Sequence, residues 1–465
     1  MSDTDCGRIE TILNCRYPIV LAGMGGVARA DLVGAVSAAG GFGFLGMVRE
    51  PVHLIRREVE ALRLAGHSSF GVNIIPAATG KALLEAQIQT IIELDVPVVG
   101  LFWEIDGSVV RQFRDAGVTV VYQVGSAEEA KQAVAAGAQV VIAQGREAGG
   151  HVRGNVPLHR LLPSVCKTVA VPVLAAGGLA SGSDLIVAKA LGAAGIVLGT
   201  VLIAAEESFA HEHHRQRLVG AGAHDTLLTD RFHINWPEGA MVRVLRSAVT
   251  EGGRGVPGNG EAKVIGEEEG RPIYLFSTDS PLRSMSGDFE AMALYAGTGV
   301  GKVHAVRPAG AIIAAILAEA AALSGGGALD MVEAASPVCY AGEMSGAYMG
   351  LLDADEARTE IAGFMRMLYA ALAAALANNG DRDNRPPFSP EAEFFARHIL
   401  ALLPYGDEDG EVQPGEALPG SMLQRLRQVL PRLPENRCRQ ALQLLALELE
   451  AAVETSAAPA QGSSR

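Results

Sequence analysis

A chain of 465 residues exceeds one ordinary domain, and a barrel of alternating strands and helices takes roughly 250 residues by itself, so one barrel plus additional material is the simplest partition. A formal net charge of −14, with no Lys/Arg block interleaved with aromatics, argues against nucleic acid as a partner. Hydrophobic residues make up 49% of the chain, aromatics only 5%, and 55 glycines are present, a composition suited to a large aliphatic core crossed by tight turns.

The five cysteines, Cys6, Cys15, Cys166, Cys339 and Cys438, are scattered and show no CxxC spacing. Neither a disulfide framework nor a zinc site is expected, and a reducing cytoplasm fits. The start MSDTDCGRIE lacks the basic and apolar regions of a signal peptide, and no apolar run reaches the roughly 20 residues that span a bilayer. A cytoplasmic protein with no membrane partner is expected.

In chain order, eight short apolar runs recur up to about residue 200, each followed by a helix-forming stretch: PIVLA from Pro18, FGFLG from Phe42, FGVNI from Phe70, PVVGLF from Pro97, VTVVYQV from Val118, QVVIA from Gln139, VPVLAAG from Val171 and GIVLGT from Gly195. Uninterrupted apolar strands imply burial on both faces, as in a parallel sheet covered by helices. An open doubly wound sheet is the alternative. The count of eight, with Gly, Asn and polar residues beyond several strand ends and not at a single switch point, favours a closed (β/α)₈ TIM barrel.

Beyond the eighth run, an inserted segment at about 220–290 contains VTEGGRGVPGNGEAKV, which reads as an exposed loop or hairpin. The ordered pattern resumes and ends in an Ala/Ile/Leu-rich helix before SGGGALD at Ser324. The expected partition is a catalytic barrel over 1–326, a helical C-terminal region over 327–455 and a disordered tail over 456–465. No motif discloses the job of the C-terminal helices; contact with a second copy or a protein partner is one role open to them.

The segment AQGREAGGH, Ala143 to His151, falls at the C-terminal end of the sixth strand, the edge where barrels place their active sites. Its glycines, Gly149 and Gly150, let backbone approach a flat ring or a phosphate, and His151, which follows them, is aimed into the barrel mouth. AAGGLASGSDL after the seventh strand and GIVLGT at the eighth together suggest a phosphate cup, with Gly177, Gly178, Gly199 and Thr200 as donors. The plain alternative for Gly177 and Gly178 is a tight turn. Asn73 and Gln123 end buried strands, so each amide either pairs with backbone or meets a ligand's polar edge. Gly23 and Met24 end the first strand; Met24 is either packing or a flank to a bound ring. HEHH, His211 to His214, reads as a solvated helix end and not a metal site.

LAGMGG, GVNI, AQGREAGGH, VPVLAAGGLASG, VLGTVLIAAEES, DTLLTDRFHINWPEGAMVRVLRS and LYAGTGVG, in that order, resemble the nitronate monooxygenases, formerly 2-nitropropane dioxygenases. The resemblance runs from about residue 8 to 323 and stops before the C-terminal helices; Thr298 stands where many relatives carry an amide. It implies an FMN-dependent barrel enzyme that oxidises alkyl nitronates with O₂ to a carbonyl compound and nitrite. His151 then matches the active-site histidine. Gly23, Met24, Asn73, Gln123, Ala148, Gly149, Gly177, Gly178, Gly199 and Thr200 match FMN-holding positions, and Tyr295 the substrate pocket. The alternatives are an FMN-dependent enoyl-acyl-carrier-protein reductase using NAD(P)H, and a non-catalytic flavin-binding or phosphate-binding module whose C-terminal helices recruit a partner.

Overall fold

A computed structural model describes residues 8–323 apart from 238 and 256–262. The expected helical region at 327–455 and the tail at 456–465 lie outside the described residues, as does part of the glycine-rich inserted stretch.

All eight apolar runs are strands of one closed parallel barrel. They are Ile19–Leu21, Phe42–Gly46, Phe70–Ile74, Val98–Phe102, Thr119–Val124, Val140–Gln144, Val173–Ala176 and Gly195–Leu198. Each pairs with the next, and the last closes onto the first through Ile19↔Ile196 and Leu21↔Leu198. Val20, Phe42, Phe44, Val98, Val121, Val140, Ile142, Leu174 and Val197 fill the interior. Branched and aromatic side chains from successive strands can layer there without leaving a channel, each large one contributing about 1.5–3 kcal/mol by burial. Ile9 and Leu13, on the first helix Ile9–Leu13, join the same cluster and pack against the strand starts.

The helices begin and end where local chemistry dictates. Asp106 Oδ1 accepts from the Ser108 and Val109 amides at 2.9 and 3.1 Å and caps helix Gly107–Asp115. Ser126 caps Ala127–Ala136, which stops at Gly137 in the left-handed region, φ 118°. The last described helix, Ala309–Leu323, packs against Gly182–Ala190 and Ala30–Ala38 and so fills the outer ring between the helices after the seventh and first strands. Its Glu319 accepts from the Gly182 and Ser183 amides at 2.9 and 3.2 Å, anchoring the chain's return after the insertion.

The described start of the glycine-rich stretch, 249–254, is turns, and the rest of the insertion folds into two small sheets. Thr226–Thr229 and Met241–Leu245 form an antiparallel sheet with Gly150–Val152, pairing Val242 with His151. Val264–Glu268 pairs with Arg271–Tyr274 and Met285–Gly287 in a second sheet. Thus His151 sits on a short strand clamped by the insertion, not on a free loop. Among the described residues, no helix is long and apolar enough to cross a membrane.

Candidate active site

Every residue expected at the site lines one cavity of about 680 Å³ at the carboxyl ends of the strands. Gly23 and Met24 enter after the first strand, Asn73 from the third, Gln123 from the fifth, and Ala148, Gly149 and His151 after the sixth. Gly177 and Gly178 follow the seventh, Gly199 and Thr200 the eighth, and Tyr295 returns from the insertion. Residues far apart in the chain meet because a parallel barrel carries every strand end to one rim.

The glycines are required for different reasons. Gly177 and Gly178 have φ of 115° and 74°, which an L side chain adopts only with strain. A Cβ on Gly23 would fall 2.2 Å from Asn73 Cβ, and one on Gly149 2.5 Å from the Gly297 amide, so these two permit chains to approach each other. Gly199 differs: its φ is −112°, and the nearest atoms to an added Cβ are Met24 Sδ at 3.7 Å and Ala22 Cβ at 4.0 Å. Its missing side chain leaves cavity space that no protein atom claims.

The amides divide as well. Asn73 Nδ2 donates to the Gly23 carbonyl at 3.3 Å, a long bond. Among the described residues, the Gln123 side chain has no hydrogen-bond partner, which leaves its amide for a ligand. Thr200 Oγ1 accepts from the Gly297 amide at 2.8 Å, so its hydroxyl proton is what remains to offer.

His151 is enclosed by aromatic rings. Trp236 stacks on the imidazole, centroids 3.4 Å apart and planes 14° from parallel, with Tyr295 at 6.0 Å. Trp103 meets Trp236 edge-on at 5.5 Å and is held from behind by Arg153, whose guanidinium lies 5.1 Å over the indole and pairs with Glu129. Nε2 of His151 is buried without a hydrogen-bond partner. Burial first, and then the nearby Arg49 guanidinium, hold the imidazole pKa well below its ordinary value, so the ring is neutral at pH 7. Its strand is fixed by Gln144, whose Nε2 donates to the His151 carbonyl at 2.8 Å and whose Oε1 accepts from the Arg153 amide at 3.2 Å.

Tyr295 is fixed at both ends: its hydroxyl donates to the Thr278 carbonyl at 2.7 Å, and its own carbonyl accepts from His214 Nε2 at 3.0 Å. The expectation of a solvated HEHH helix end is therefore wrong for His214. That side chain is fully buried, and burial lowers its pKa to about 4. His211 instead caps its helix, accepting from the His213 amide at 3.1 Å, and stacks on Phe289 at 3.9 Å. Among the described residues, no cluster of three His, Cys, Asp or Glu side chains is placed to hold a metal ion.

Comparison with known proteins decides the lineage, since the nitronate monooxygenase family model matches residues 7–319. The chain belongs to the nitronate monooxygenase family. It is a flavin-dependent oxidoreductase, as are its structural neighbours. A 5-hydroxy-7a-methyl-1-oxo-octahydro-1H-indene-4-carboxyl-CoA dehydrogenase of Mycobacterium tuberculosis is 32% identical over 246 residues, 52% of this chain and 67% of the relative. A protein described as a probable nitronate monooxygenase of Staphylococcus haemolyticus is 29% identical over 269 residues, 48% of this chain and 75% of the relative. Among solved structures, FabK from Thermotoga maritima superposes with a TM-score of 0.56 at 28% identity, covering 69% of this chain and 97% of FabK. A nitroalkane oxidase from Streptomyces ansochromogenes gives 0.54 at 26% identity, covering 66% and 96%.

Trp236, Trp103, Arg49, Gln144 and His214 were not singled out in the sequence as site residues. Gln144 alone left a signal there: a polar residue ending a buried strand within the AQGREAGGH segment.

Proposed function

We propose that this family member is an FMN-dependent nitronate monooxygenase that oxidises alkyl nitronates with O₂ to a carbonyl compound and nitrite. The observation that supports this reading is that His151 shares one cavity with the glycine turns after the seventh and eighth strands. The residues present fit the cofactor. Gly177, Gly178 and Gly199 would offer backbone amides to its phosphate and Thr200 its hydroxyl proton, with Gly199 leaving the space. Gln123 and Asn73 would meet the polar edge of its ring, with Gly23, Met24, Ala148 and Gly149 alongside.

When bound, FMN supplies the electron transfer and the oxygen chemistry. The protein's own part is to bind, orient and shield. A neutral imidazole presents Nε2 either as a donor to a nitronate oxygen or as an acceptor for the α-proton of a nitroalkane, and its tautomer decides which. Trp236 holds the ring plane, and the surrounding apolar cluster of Ile75, Phe102, Trp103 and Ala240 excludes water from that side. Tyr295 closes the substrate side of the pocket.

The purified full-length protein should be yellow and should release nitrite from propyl nitronate under air. Protein that is colourless, and stays so with added FMN, contradicts the proposal. The similarity to a dehydrogenase named for a carboxyl-CoA, a thioester, bears on one second reading, an NAD(P)H-dependent reductase of the enoyl-acyl-carrier-protein type, which also acts on a thioester. Rapid anaerobic bleaching of the flavin by NADH, with no reaction towards propyl nitronate, would decide for it.

A further inference from the structure

Arg49 lines the same cavity, immediately beyond the second barrel strand, and its backbone is left-handed at φ 59°. A non-glycine residue held in that region is strained, and such strain concentrates at functional sites. Its guanidinium is committed only weakly. Nη1 donates to the Asn235 carbonyl at 3.2 Å and Nη2 to Thr278 Oγ1 at 3.3 Å, both near the long limit for hydrogen bonds and both to neutral acceptors. Nε is buried with no partner.

Among the described residues, no carboxylate forms an ion pair with Arg49. The neighbouring Glu50 is engaged by Arg29 at 3.0 Å. The other arginines facing the cavity are neutralised: Arg57 by Glu58 at 2.9 Å, and Arg271 by Glu268 and Asp279 at 2.7 and 3.1 Å. One cation without an ion-pair partner therefore stands near an enclosed, neutral imidazole. A half-buried guanidinium with a buried, unpartnered Nε and only neutral acceptors has donors to spare, and a planar anion would supply the missing acceptors.

We propose that Arg49 is the anion anchor of the active site: it neutralises the charge of a substrate held beside His151, so the site selects anionic substrates over neutral ones of the same skeleton. The assignment rests on the nitronate reading for the identity of the anion, but not for the existence of the anion site. It also explains how a neutral histidine suffices there, because the charge is met by the arginine.

The test uses the full-length protein and inorganic nitrate, a planar anion the size of a nitro group, with binding read by titration calorimetry. Wild type binds nitrate, R49Q binds it at least about tenfold more weakly, and R49K falls between, since lysine keeps the charge but loses the planar fork. In turnover, R49Q raises KM for propyl nitronate at least about tenfold while KM for neutral 1-nitropropane changes less than about threefold. Wild-type protein that does not bind nitrate, R49Q that binds it normally, or equal KM increases for both substrates overturns the proposal. If R49Q does not fold, R49K decides: nitrate binding weakened about two- to tenfold supports the anchor, and unchanged binding overturns it. Calorimetry needs no flavin, so a colourless protein would defeat the functional reading while still testing Arg49. Conversely, a yellow, nitronate-oxidising protein indifferent to R49Q would keep that reading and lose the anchor.

Discussion

On one side of the cavity, Gly177, Gly178 and Gly199 shape the wall with backbone alone. On the other, Trp236, His151 and Tyr295 shape it with rings, and Trp103 buttresses them from behind. The first wall is made by strand ends of the barrel and is held by the closed parallel ladder. The second depends on the insertion, whose strand Met241–Leu245 holds His151, and on Tyr295 just beyond it, pinned by His214. Backbone walls offer amide donors and leave room for a ligand close to the chain; ring walls exclude water and orient a reacting group. Cofactor retention should therefore be decided on the first wall and turnover on the second.

Substitutions can break that division. The largest effect is expected at Gly199: Gly199→Leu should fold, because its backbone is not left-handed and its surroundings are open, yet fill the cavity and reduce flavin content below about a tenth of wild type. Flavin absorbance per chain, with the melting temperature as control, measures it; full occupancy would refute the cup. Gly178→Leu should instead destabilise the fold itself, since its φ of 74° costs an L residue about 1–2 kcal/mol and its Cβ would meet Thr298 Oγ1 at 2.8 Å.

On the ring wall, His151→Asn should keep its yellow colour while turnover falls by about 100-fold or more, the usual contribution of a positioned acid or base. Unchanged steady-state kinetics would remove His151 from the chemistry. Trp236→Ala should have a smaller effect, up to about tenfold on turnover with flavin retained, because a stacked ring pair contributes about 0.5–1.5 kcal/mol. A loss of flavin in that variant would mean that the two walls are not separate.

The smallest effect concerns pH. His214 has its pKa lowered by burial from 6.5 to about 4, so between those values the unfolded chain binds a proton that the folded chain refuses. Its share of stability is complete above pH 6.5 and is lost progressively as pH falls towards 4, and His151 acts in the same direction. His214→Gln should flatten the fall in melting temperature over that window. An unaltered pH profile would contradict the buried, neutral state that pins Tyr295.

The barrel was legible because each strand is an uninterrupted apolar run, which calls for a parallel sheet covered on both faces, and because there are eight of them, which favours closure over an open sheet. The glycine turns and His151 were legible for the same reason, as they adjoin those runs. The ring wall was not. Gly150–Val152 is too short to announce itself as a strand, and its partner Met241–Leu245 lies far along the chain. Trp236 and Trp103 touch through tertiary packing that no periodicity encodes. Arg49 follows a strand with no motif of its own, and HEHH read as a solvated helix end, because the residues that meet each side chain lie far along the chain.

The most direct measurement is a crystal structure of the full-length protein with FMN. The account predicts the phosphate between the turns at Gly177–Gly178 and Gly199–Thr200, with the ring beside His151. A phosphate bound elsewhere, or a ring lying away from His151, would contradict it.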